Sequence, residues 1–226
     1  MIRKMYLFTI KYCHILFFFN SLSACVMSQE IELKLSLSEE QAEVLAKADF
    51  WRQQGSDRAE SFKLSNIYFD TPGHQLNKAN IALRIREKNG HFIQTLKTQD
   101  SIVNGLFHRG EWEWSLQQAK LDLSLLDRLD VKALEGIDRN TLEPLFSTDF
   151  QRTRWVISWG SPAAKVEAAL DKGYVNANSK KAPICELELL EGDQKALRSI
   201  SEALSKIVHL TPIDKSKAER GFELLK

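Results

Sequence analysis

Gln29-Glu30-Ile31-Glu32-Leu33-Lys34 places a charge on every second residue and an apolar side chain between the charges. Period-two alternation is the mark of a β-strand with two unlike faces. The pattern returns at Arg84-Ile85-Arg86, at Arg109, Glu111 and Glu113 around Trp112, at Arg152 and Arg154, and at Glu186-Leu187-Glu188-Leu189. An ordinary sheet buries its apolar face and leaves mixed polar residues in water. Here the alternate positions are nearly pure Glu, Arg and Lys, segment after segment. The expectation is therefore a mainly β, α+β domain whose strands close into a barrel with charge lining the inside. A lumen of both signs holds a polyanion on its basic groups and a divalent metal on its carboxylates.

The chain has 226 residues, 43% hydrophobic and 27% charged, with a formal net charge of +1. That is one ordinary domain with room for an appendage. Near-neutral charge argues against broad nucleic-acid binding, so any polyanion site is local. Cys13, Cys25 and Cys185 form neither a metal-ligand spacing nor a disulfide framework. Residues 1–26 differ from the rest. Arg3, Lys4 and Lys11 precede a short apolar run, and Leu22-Ser23-Ala24-Cys25 resembles a bacterial lipoprotein processing site. The competing reading is a start at Met27 behind a misplaced upstream start. The run is too short to span a bilayer.

Strands are expected at about 29–37, 61–69, 81–88, 91–98, 107–116, 149–159, 164–170 and 183–191. Asn89-Gly90 is a preferred two-residue hairpin turn. Ser38 caps a helix, with Gln41 in the capping-box position and Gly55 at its end. Short helices are expected over 120–145, and Asp193 caps another that runs to about Val208. Pro162 and Gly173 punctuate the later strands, and Thr211 to Lys226 reads as a turn and a last short strand. The amphipathic helices are expected to pack outside the barrel, with Trp112, Trp114 and Trp155 between the two layers.

The Glu-x-Glu-x-Lys opening, followed by Tyr68-Phe69-Asp70-Thr71-Pro72, Ala82-Leu83-Arg84-Ile85-Arg86, Thr95-Leu96-Lys97, Phe150 to Trp155, Glu167 to Asp171, Glu186 to Leu189 and Ser216-Lys217, resembles the CYTH domains, also called triphosphate tunnel metalloenzymes. The matches run in family order through residues 28–226, within a domain read as 27–226. The stretches Leu145 to Phe150 and Pro183 to Glu188 look most like the bacterial inorganic triphosphatases, whose CYTH domain precedes a helical CHAD domain. This chain stops just after Leu225, as a stand-alone domain or as a piece of a longer protein.

The resemblance implies an eight-stranded antiparallel tunnel, a cytoplasmic protein beginning near Met27, and Mg²⁺ or Mn²⁺ as cofactor. It implies inorganic triphosphate as substrate, hydrolysed to pyrophosphate and phosphate. Stable membrane contact is not expected, and oligomeric state stays open. Arg84, Arg86 and Arg154 are the first candidates for bidentate phosphate contacts, then Arg109 and Arg152. Lys34, Lys97 and Lys217 supply compact charges. Glu30, Glu32, Glu186 and Glu188 lead the metal ligands; Glu111, Glu113, Glu167 and Asp171 form a second group that holds an ion or pairs with arginines. Like-charge crowding is expected at Arg84. A class IV adenylyl cyclase, a thiamine or nucleoside triphosphatase, and a non-catalytic polyphosphate-binding module are the rival readings.

Overall fold

The computed structural model describes residues 26–56, 58–98, 101–160 and 163–226, with the backbone alone for 26–30 and Arg109. Cys13, Cys25, the signal-like extension before Val26, and Pro162 lie outside the described residues. Ten antiparallel strands form one strongly curled sheet: β1 (Val26–Ser36), β2 (Glu60–Asp70), β3 (Ile81–Lys88), β4 (His91–Thr98), β5 (Ser101–Val103), β6 (Leu106–Leu116), β7 (Glu143–Trp159), β8 (Ala164–Ala177), β9 (Lys180–Leu190) and β10 (Thr211–Pro212). The order is β10-β1-β9-β8-β7-β2-β3-β4-β6-β5. Strand β1 also pairs with β6 over Val26 to Leu33, and with β9 over Glu32 to Ser36. The seam is thus shared along one strand, and the eight strands read from the sequence are joined by the short β5 and β10.

The outer face is apolar because every residue between two lumen charges points there. Leu33, Leu35, Trp155, Leu187 and Leu189 are buried beneath α1 (Glu39–Ala46), α2 (Phe50–Gln53) and α5 (Gln194–Leu204). Helix α5 buries Leu197, Ile200 and Leu204 completely. At roughly 25 cal/mol per Å² of apolar surface, each such leucine or isoleucine stabilises by about 1.5–3 kcal/mol. Trp51 stacks on Trp155 at 4.4 Å. A second outer cluster puts Leu83, Leu96 and Trp114 beneath α3 (Gln75–Lys78) and α4 (Leu123–Asp127).

Local signals explain most element ends. The Ser38–Gln41 capping box forms as expected, and Asp193 caps α5 through Ala196 N–H at 2.7 Å. The expected single helix before Gly55 is two short ones. Helix α5 ends at Leu204, short of the expected Val208, and Ile207 beyond it is 39% exposed. Asn89 and Gly90 both have positive φ, as the hairpin requires. The Asp70 carboxylate accepts backbone N–H from Thr71, Leu76 and Asn77, tying the end of β2 to α3.

Three expectations change. Strand β7 begins at Glu143, inside the stretch read as helical. Gly173 does not end a strand: it sits within β8, opposite Phe150. A Cβ there would lie 2.2 Å from the Asp149 carbonyl, so close approach of two strands requires the glycine. The C-terminal segment, read as a turn and strand, is instead α6 (Lys217–Leu225), with its own capping box from Ser216 and Glu219. Helices α1 to α5 cover the outside as expected, but α6 lies on the lumen side. Ala218 and Phe222 pack against Leu64, Tyr68, Phe146, Phe150, Val175 and Ile184, filling one part of the barrel with apolar side chains.

Candidate active site

The rest of the lumen is charged. Its cavity, about 300 Å³, is lined by Glu32, Lys34, Tyr68, Arg84, Arg86, Lys97, Glu111, Glu113, Arg152, Glu167, Glu188 and Lys217, among others. Period-two alternation puts them there: Leu33, Ile85 and Leu187, one residue along, are buried on the other side of the sheet. The expected lumen is therefore present. Glu30 and Arg109 face each other in the β1–β6 register, but their side chains lie outside the described residues.

The charges divide into two territories. On β8 and β9, carboxylate oxygens of Asp171, Glu186 and Glu188 lie within 4.8 Å of one another, and all three residues are buried. Lys217, from the first turn of α6, reaches among them. Its Nζ is 2.7 Å from Asp171 and 2.9 Å from Glu188, and it also pairs with Glu186. Arg152 donates two 2.7 Å hydrogen bonds to Asp171 and another to Glu188. Arg220 of α6 reaches Glu186 at 3.3 Å. Lys34 bridges Glu32 at 3.1 Å and Glu188 at 3.6 Å.

Burial opposes ionisation of Glu188, yet Lys217, Arg152 and Lys34 together hold its carboxyl well below the usual range. Burial would lower the Lys217 ammonium, but Asp171, Glu186 and Glu188 raise it. Burial wins at Lys34, whose pKa falls despite Glu188.

Across the lumen, Arg84 and Arg86 of β3 stand on different terms. No carboxylate lies within ion-pair distance of either among the described residues. Their hydrogen-bond partners are an amide and a phenol that sit directly opposite on β2. Arg86 Nε donates to Asn66 Oδ1 at 3.0 Å, and Arg84 bonds the Tyr68 phenol. Burial works against both guanidiniums. For Arg84, Tyr68, Glu111 and Glu113 outweigh it and raise the pKa. For Arg86, neighbouring Arg84 and Arg152 add to it, and the pKa is pushed down to about 10. The like-charge crowding expected at Arg84 therefore falls on Arg86. Burial would also raise the Tyr68 phenol, but Arg84 holds it below its ordinary value.

The remaining candidates sit between or beside these groups. Lys97 pairs with Glu111 at 3.0 Å, and Glu113 accepts from the Thr95 hydroxyl at 3.1 Å. Arg154 is more exposed and lies between Glu167 at 2.7 Å and Glu60 at 3.0 Å. Asn66, Thr148 and Arg220 are not among the residues the sequence patterns point to, and Tyr68 enters there only as part of a family motif without a role. The parity of β2 was the available signal, since Asn66 and Tyr68 share the face that meets Arg84 and Arg86. A second cavity, about 390 Å³, adjoins the tunnel through Ala82, Lys97, Ser216 and Ala218 and opens toward His74, Asn77 and Asn80.

A model of the CYTH domain matches residues 28–222. An inorganic triphosphatase of Haemophilus influenzae is 34% identical over 205 residues, covering 88% of this chain and 56% of the relative. The chain thus spans about half the length of that relative. Among solved structures, an adenylyl-cyclase candidate from Hippeastrum, described as revealing a dominant triphosphatase activity, superposes with a TM-score of 0.66 at 20% identity, covering 86% of this chain and 95% of that one. A Bacillus halodurans adenylate-cyclase candidate superposes at 0.59 with 23% identity, over 87% of this chain and 98% of that one. At such identities the likeness concerns the fold.

Proposed function

The chain belongs to the CYTH domain family, and from that premise we propose that it is a metal-dependent inorganic triphosphatase. It hydrolyses tripolyphosphate to pyrophosphate and phosphate by attack of water inside the tunnel. The observation that carries this reading is the Arg84–Arg86 pair, directed into the lumen with no carboxylate partner within ion-pair distance among the described residues. Arg84 is buried and Arg86 half-buried, and holding such cations without a contact counter-ion is costly in an empty fold. They match the planar, doubly accepting edge of a phosphoryl group. The 34% identity to the Haemophilus enzyme supports the same activity.

In this reading Arg84 and Arg86 bind two phosphoryl groups, and Lys34 and Lys97 add point charge along the chain of phosphates. Arg109, two residues before Glu111 on β6, is a further candidate for contact with the anion. Arg152 and Lys217 act differently: paired with Asp171, Glu186 and Glu188, they hold the carboxylates in place and keep the lumen near neutrality. Arg154, between Glu60 and Glu167, closes the tunnel's edge and meets only the end of the substrate.

The carboxylates fit a hard divalent ion in donor type and convergence: three lie within 4.8 Å of one another. Asp171, Glu186 and Glu188 would hold Mg²⁺ or Mn²⁺ as the converging set, with Glu32 and Glu30 of β1 as further candidates; Glu111, Glu113 and Glu167 form the second set. When bound, such an ion neutralises charge that develops on phosphoryl oxygens and acidifies water. Lys217 must then loosen its hold on the cluster, since it stands where a cation would.

A cytoplasmic location comes with this reading, and among the described residues no helix is long and apolar enough to cross a membrane. Lipidated Cys25 in membrane fractions of the host would overturn the location. The test of function is phosphate release from tripolyphosphate, ATP and thiamine triphosphate, with Mg²⁺, Mn²⁺ or chelator. Metal-dependent release, fastest from tripolyphosphate, is expected. Cyclic AMP and pyrophosphate as main products from ATP would make the protein a cyclase instead.

A further inference from the structure

Three side chains on three neighbouring strands form a row. Thr148 of β7 lies opposite Asn66 of β2, and Asn66 lies opposite Arg86 of β3. Asn66 and Thr148 are fully buried. The Asn66 amide can face only one way here. Arg86 Nε is a donor, so Asn66 must present Oδ1 to it, at 3.0 Å. Its Nδ2 then donates to Thr148 Oγ1, also at 3.0 Å. The hydroxyl fixes the amide, and the amide fixes the guanidinium.

We propose that Asn66, locked by Thr148, is the positioning residue that holds Arg86 in its phosphate-binding orientation without neutralising it. An aspartate would occupy the same volume and accept the same bond, but would pair with the guanidinium and weaken its hold on an anion. The neighbouring Arg152 illustrates the alternative, being pinned between two carboxylates. An amide aligns Nε without neutralising the guanidinium, which lines the cavity. Arg86 therefore remains an uncompensated cation inside a folded barrel, and its depressed pKa is the cost of that arrangement.

The inference rests on the triphosphatase reading, and the test separates the two. Asn66→Asp is assayed for steady-state hydrolysis of tripolyphosphate with Mn²⁺ and for thermal stability without substrate. The substitution supplies a counter-ion, so the melting temperature should hold or rise. KM should rise about tenfold or more, with kcat falling no more than about threefold. Thr148→Val, which frees the amide but adds no charge, should raise KM by roughly threefold. It also serves as the deciding variant if Asn66→Asp does not fold. Unchanged KM in the folded variants, whatever the melting temperature does, would overturn the positioning role and leave the activity intact. A wild-type protein that releases no phosphate from any triphosphate would overturn the functional reading first.

Discussion

Replacing Arg86 with methionine should make the empty protein more stable while impairing its binding of triphosphate. Methionine keeps the apolar stem and removes the charge. At pH 7 the guanidinium is protonated in both folded and unfolded chains, yet in the folded chain its pKa is pushed down to about 10 from 12.5. At 1.36 kcal/mol per unit, burial of the charge together with crowding by Arg84 and Arg152 costs about 3 kcal/mol, an upper limit because the side chain keeps some exposure. Against it stands the Asn66 Oδ1 acceptor, left buried without its donor at a cost of about 1–2 kcal/mol. The net gain is about 1–2 kcal/mol, or roughly 2–8 °C in melting temperature for a domain of this size. The sign with pH follows from the lowered pKa. The penalty is complete below pH 10 and fades as the pH rises through 10 toward 12.5, so the advantage of the variant should shrink there. Calorimetry in phosphate-free buffer reads both effects, and tripolyphosphate should raise the melting temperature of the wild type more than that of the variant. A variant that melts several degrees lower without any anion would refute the idea that Arg86 is held under like-charge repulsion.

Lys217→Met removes the cation shared by Asp171, Glu186 and Glu188, and should cost about 3–5 kcal/mol as a broken buried pair. Added Mn²⁺ should restore more of the melting temperature in this variant than in the wild type; equal Mn²⁺ effects would count against a cation site there. Glu188 has a folded pKa well below its ordinary 4.5, so its contribution is complete above that value and is lost as the pH falls. The melting temperature should drop between pH 5 and pH 3, and Glu188→Gln should melt lower at pH 7 with a shallower acid slope. Gly221→Ala would set a Cβ 2.1 Å from the Phe146 ring. Displacing α6 in this way should cost about 1–3 kcal/mol in a urea melt, and an unchanged midpoint would show that α6 is loosely seated.

The alternation in residues 29–34, 84–86 and 186–189 determined strands with one charged face, because side-chain direction in a strand depends on parity alone. The ordered motifs were enough to indicate the family and to collect the acidic and basic residues of one site. The C-terminal helix is legible too, in the capping box Ser216-x-x-Glu219 and the helical spacing of Ala218, Phe222 and Leu225. Which charges pair could be decided only by the tertiary structure. Arg152 and Arg84 have the same residue type and the same kind of strand, yet Arg152 meets Asp171 and Glu188 while Arg84 meets Tyr68. These partners come from β8, β9 and β2, and inter-strand register, not sequence proximity, brings them together. A contact ion pair needs its nitrogen and oxygen within about 4 Å. Each one-residue slip of register turns a side chain to the other face, so register separates an arginine paired with carboxylates from one left to meet an anion.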